Sequence, residues 1–77
     1  MYEEMIIDTV KKISGIENIS METQFSSLEM DSVSVLEALI ELEIMLNIDV
    51  LDEDLEFNNL VIVRDLYDYI AKIIEVQ

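Results

Sequence analysis

The sequence predicts an all-α domain, a small four-helix bundle of three long helices and one short one, and three observations carry that reading. Apolar residues recur at helical spacing in three separate segments. No useful length of chain alternates apolar and polar residues as a half-buried strand would. The chain has one glycine and no proline, so few breaks interrupt the periodic segments. Its 77 residues allow a single domain, 1–77, with one modest core. At 52% hydrophobic residues it is too apolar for a disordered acidic tail.

The first helix is expected over residues 2–14. Tyr2, Ile6, Val10 and Ile13 form its stripe with Met5 beside it, acids lie early, and Lys11 and Lys12 lie late, as the helix dipole favours. Gly15 is the natural stop. Residues 15–30 lack a helical period but carry Ile16, Ile19, Met21, Phe25 and Leu28, too apolar a set for a flexible linker. These five are expected to anchor a long connection across the helices. The second helix is expected over 32–46, its core stripe traced by Leu36, Leu39, Leu42 or Glu43, and Leu46, and broadened by Val35 and Ala38. Its opposite face mixes acid with large aliphatics: Val33, Glu37, Ile40, Glu41 and Ile44. That face is either a second buried side or a contact strip for partner proteins. An acidic connection, 47–59, is expected to hold a short helix near 53–57. The last helix is expected over 61–75, with Val63, Leu66, Ile70 and Ile73 or Ile74 inward.

Composition excludes several kinds of chemistry. With 18 acidic against 4 basic residues, the formal charge is −14. Such a field repels nucleic acid and anionic lipid heads and favours partners with Arg and Lys patches. There is no cysteine and no histidine, hence no disulfide, no thiolate chemistry, no imidazole acid–base work and no zinc site of the usual kind. The triplet Asp52, Asp54, Glu56 resembles the start of a calcium loop, but Phe57 stands where the loop needs glycine and Val63 where it ends in Glu. No metal is expected. An acidic N-terminus and the lack of a long apolar run lead us to expect a soluble, cytoplasmic protein.

One position attracts chemical interest. Asp31-Ser32 stands at the start of the second helix, where free backbone N–H groups tolerate an attached phosphate. A nucleophilic serine would need a base and an oxyanion hole, and no motif ties a lysine to Ser32, so the chain does not read as an enzyme. On local physics alone, helix capping is the better account of Ser32. Asp31 is an equally good cap, and Ser26 with Glu29 and Ser34 with Glu37 form competing capping boxes.

Resemblance decides between these readings. Leu28-Glu29-Met30-Asp31-Ser32-Val33 resembles the Leu-Gly-hydrophobic-Asp-Ser-Leu signature that opens the second helix of acyl carrier proteins and related peptidyl carrier domains. The acidic helix after that signature is matched by Ile40-Glu41-Leu42-Glu43 through Leu46, and its short hydrophobic–acidic connection by Ile48 to Asp54. The closing Val-x-Asp-Leu-x-x-Tyr-Ile pattern is matched by Val63, Asp65, Leu66, Tyr69 and Ile70. The likeness spans nearly the whole chain, with three departures: Glu29 for the usual Gly, Val33 for the usual Leu, and Leu51 where Pro is common.

The resemblance implies a carrier. A phosphopantetheinyl transferase would link 4′-phosphopantetheine from coenzyme A to Ser32, beside Asp31, and the arm's thiol would hold acyl groups as thioesters. The setting would be fatty-acid, polyketide or related specialised biosynthesis. Leu36, Leu39, Val50, Leu55 and Leu66 are the expected lining of an apolar sleeve for the cargo. Acyl-loading and acyl-processing enzymes with basic patches would dock on a monomer through Glu37, Glu41 and Glu43 with Val33, Ile40 and Ile44. The alternatives are a peptidyl or aminoacyl carrier protein, and an unmodified acidic helical adaptor for one basic partner.

Overall fold

Helix α1 ends where its only glycine allows it to. Gly15 takes the left-handed conformation (φ 74°) and donates its N–H to the Lys11 carbonyl at 2.8 Å. A Cβ there would meet nothing within 4 Å, so the dihedral rather than space selects glycine. In a computed structural model, which describes residues 2–50 and 56–76, α1 (Glu3–Ser14) is followed by α2 (Ser32–Leu46) and α3 (Val63–Val76). Short 3₁₀ turns lie at Phe25–Leu28 and Phe57–Asn59. Helix α1 packs against both α2 and α3.

The three long helices stand where the periodicity placed them, and α2 has the expected bounds. The fourth helix does not appear as such. Of its expected span near 53–57, residues 53–55 lie outside the described residues, and Phe57 opens a single 3₁₀ turn. Among the described residues the protein is a three-helix domain.

Each helix contributes a short inward row to one core: Ile6 and Val10 from α1, Val35, Ala38, Leu39 and Leu42 from α2, and Val63, Leu66 and Ile70 from α3. Phe25, Leu28, Met30, Val50 and Leu60 from the connections close it. Thr9 is also buried; its hydroxyl donates to the Met5 carbonyl at 2.9 Å, so it enters the core with its polar atom satisfied. Leu36, expected in the stripe of α2, is only half-buried and lies outside this cluster, and the inward row runs instead through Val35, Ala38, Leu39 and Leu42. The reason is visible in the sequence of α2, which is apolar almost all round and therefore marks its inner face poorly.

The 15–30 connection is pinned at both levels of structure. Phe25 and Leu28 are buried, while Ile16, Ile19 and Met21 pack half-buried on the core. Its backbone closes the entrance of α3: the Thr23 carbonyl accepts from Val63 N–H at 2.9 Å and the Met21 carbonyl from Arg64 N–H at 2.8 Å. Phe25 N–H donates to the Val61 carbonyl at 3.0 Å, within an antiparallel bridge between Gln24 and Ile62. Asp65 completes the entrance, its Oδ2 accepting from Val61 and Ile62 N–H at 2.9 and 3.0 Å. That is the reach-back half of a capping box. Orphan donors of a first turn must be satisfied somewhere, and here the long connection supplies the acceptors. No described helix is long and apolar enough to cross a membrane.

Candidate functional site

The chain approaches α2 through a left-handed residue. The 3₁₀ turn Phe25–Leu28 ends at Glu29, with φ 57° and ψ 30°, whose N–H donates to the Ser26 carbonyl at 3.2 Å. Met30 then turns inward and is buried, its N–H donating to the Phe25 carbonyl at 3.1 Å. A left-handed position favours glycine. Glu29 is therefore the strained member of the turn.

Asp31 is the N-cap of α2. Its Oδ1 accepts from the Ser34 N–H at 2.9 Å. That bond, followed by one with the Ser34 hydroxyl, holds the Asp31 carboxyl below its ordinary range, so Asp31 is anionic at neutral pH. Capping therefore falls to Asp31, and Ser32 is left as an exposed first helical residue whose hydroxyl bonds to no described residue. The Val33 N–H also lies toward the Asp31 carboxylate and helps to lower its pKa, whereas no backbone carbonyl among the described residues receives the N–H of Ser32. The entrance of α2 is open where that of α3 is closed.

A cleft of about 250 Å³ adjoins Ser32. Phe25, Met30, Val35, Phe57, Leu60 and Val61 form its apolar walls, with Ser26, Asp31, Ser32 and Asn58 at its polar positions. These are not the residues expected to line a sleeve. Leu39, Val50 and Leu66 are sealed in the core with no exposed surface, Leu36 is half-buried, and Leu55 lies outside the described residues. The signal that could have found the cleft was Met30 directly before Asp31, together with the apolar trio Phe57, Leu60 and Val61 flanking Asn58 and Asn59.

The outer face of α2 is bare. Val33, Ile40 and Ile44 are 60%, 38% and 74% exposed, so the domain itself does not bury this side. Glu37 is exposed between them and forms no ion pair among the described residues. Glu41 is already engaged, receiving Lys12 Nζ of α1 at 3.0 Å. Glu43 serves the fold instead of the strip: its Oε2 accepts from the Val50 N–H at 3.2 Å, and the Tyr69 hydroxyl donates to the Val50 carbonyl. Val50 is thus held from α2 and α3 at once. Met45, 49% exposed, joins the apolar surface and was not expected there. No group of three metal-ligating side chains occurs among the described residues, and of the calcium-like triplet only Glu56 is described.

Comparison with known proteins found no family model, no curated protein and no solved structure that matches this chain.

Proposed function

We propose that the protein is an acyl carrier protein, holding acyl groups on a 4′-phosphopantetheine arm attached to Ser32. The observation that carries this reading is the exposed, unengaged hydroxyl of Ser32 at an open helix entrance, with Asp31 already capping that helix and an apolar cleft alongside. The residues fit such a group. The first-turn N–H of Ser32 and the positive end of α2 offset a phosphodiester's charge, and the wall of Met30, Val35, Phe57 and Leu60 accepts an aliphatic chain. When attached, the arm supplies a thiol that this cysteine-free chain lacks, and thioester cargo rides on it.

The chain's own residues do the remaining work. Asp31 fixes the first turn so that Ser32 Oγ faces outward. Val33, Ile40 and Ile44, beside Glu37 and Glu41, give partner enzymes an apolar row with an acidic flank, suited to weak docking by basic patches. The carrier role requires no acid–base constellation of its own.

Intact-protein mass spectrometry tests the reading, after incubation with coenzyme A, magnesium and a broad-specificity phosphopantetheinyl transferase. The expected result is one phosphopantetheinyl mass gain in the wild type and none in Ser32→Ala. No gain in the wild type would favour an unmodified adaptor for a basic partner. Loading with fatty acyl or aminoacyl groups would then separate an acyl from a peptidyl carrier.

A further inference from the structure

A second groove lies between α1 and α2, beside Glu41, about 14 Å along the helix from Ser32. It measures about 470 Å³, with Met5, Thr9 and Met45 on its floor and Glu4, Asp8, Glu41 and Lys12 around its rim. The rim is acidic apart from Lys12, the lone cation there. Lys12 spends its charge inside the molecule, Nζ donating to both carboxylate oxygens of Glu41 at 3.1 and 3.0 Å. The pair is open to solvent, with side-chain exposures of 69% and 35%. An exposed pair of this kind is weak and screened by salt, so another cation can exchange into it at small cost.

Position gives this exchange a consequence. Glu41 sits between the exposed row Val33, Ile40 and Ile44 and the floor residue Met45, so a cation placed on it brings a neighbouring aliphatic group over the Met5–Met45 floor. We infer that Lys12 is an internal competitor for Glu41 that sets partner selectivity. The favoured partner is a protein surface presenting an Arg or Lys beside an aliphatic side chain, the first to displace Lys12 and the second to fill the groove. Glu37, one turn earlier, has no such competitor among the described residues, so the two carboxylates of the strip are unequal: Glu37 is open to any basic partner, and Glu41 favours one that also covers the groove. This inference rests on reading the outer face of α2 as a partner surface. The plainer role, a brace between α1 and α2, would act on stability alone.

The test is an NMR titration of ¹⁵N-labelled protein with a synthetic amphipathic peptide of arginine and leucine at low salt. The variants are Lys12→Gln, Glu41→Gln, the double variant, and Lys72→Gln on α3 as a control with the same change in net charge. Lys12→Gln is expected to bind about two- to fivefold more tightly than Lys72→Gln, with shifts reaching Glu41 and Met45, and the gain should vanish in the double variant. Equal affinities of Lys12→Gln and Lys72→Gln, a gain that survives loss of Glu41, a lower melting temperature with unchanged binding, or no binding by any variant would each overturn it. Ser32 takes no part in this assay. A wild type that gains no phosphopantetheine yet shows the Lys12 effect would remove the carrier reading alone, and a modified protein without the effect would remove only this inference.

Discussion

Helices α2 and α3 have nearly the same length, 15 and 14 residues, and both bury aliphatic rows in one core, yet they meet solvent in opposite ways. Over residues 63–75 of α3 the exposed positions are Arg64, Asp68, Lys72 and Glu75, every one charged. Those of α2 are Ser32, Val33, Glu37, Ile40, Ile44 and Met45, only one of them charged. Their entrances differ in the same sense. That of α3 is closed by Asp65 and two loop carbonyls, while that of α2 is reached through a left-handed Glu29, is capped by Asp31 alone and leaves the Ser32 N–H without a backbone acceptor among the described residues. The needs of α3 are met within the domain, whereas the domain leaves the aliphatics on the outer face of α2 uncovered. Covering a side chain such as Val33 or Ile44 is worth on the order of 1.5–3 kcal/mol before the costs of association.

Three substitutions would break or sharpen this contrast. The largest effect is expected on the closed helix. Leu66→Ala removes a side chain with no exposed surface and should cost about 2–5 kcal/mol, a large part of the stability of a domain this size. Urea unfolding should show a much lower midpoint, and an unchanged one would mean that α3 is not the anchored helix. A smaller effect of the opposite sign is expected at the open entrance. Glu29→Gly relieves the left-handed strain at φ 57° and should stabilise by up to about 1 kcal/mol, raising the same midpoint. A fall instead would mean that the Glu29 side chain makes a contact worth more than the strain. The smallest effect on stability is expected on the bare face. Ile44→Gln should change it by no more than about 0.5 kcal/mol while raising the KM of a phosphopantetheinyl transferase for the protein. A loss beyond about 1 kcal/mol would place Ile44 in the fold's own packing.

Much of the scaffold is legible in the sequence. The periodic runs marked three helices, Gly15 marked the end of α1, and Asp31-Ser32 marked the start of α2, because caps and amphipathic stripes are local signals. The inward face of α2 was less legible. Leu36 and Val35 are equally apolar, and only the positions of α1 and α3 decide that Val35 goes in and Leu36 stays at the edge. The cleft beside Ser32 was missed for a related reason: Phe57, Leu60 and Val61 reach it from a connection remote in sequence. The sequence places Glu43 with Glu37 and Glu41 because all three lie on one acidic helix, whereas its bond to Val50 depends on where the next loop turns back.

By itself, then, the sequence determined the helical class, the bounds of α2, the acidic field and the serine set at a helix entrance, since each depends on neighbours along the chain. Tertiary structure decided which carboxylates of α2 remain open, which apolar residues wall the cleft, and that Lys12 meets Glu41 across 29 positions of sequence. Those outcomes depend on the crossing of helices, and a one-dimensional pattern carries the period of a helix but not the rotation at which its neighbours meet it.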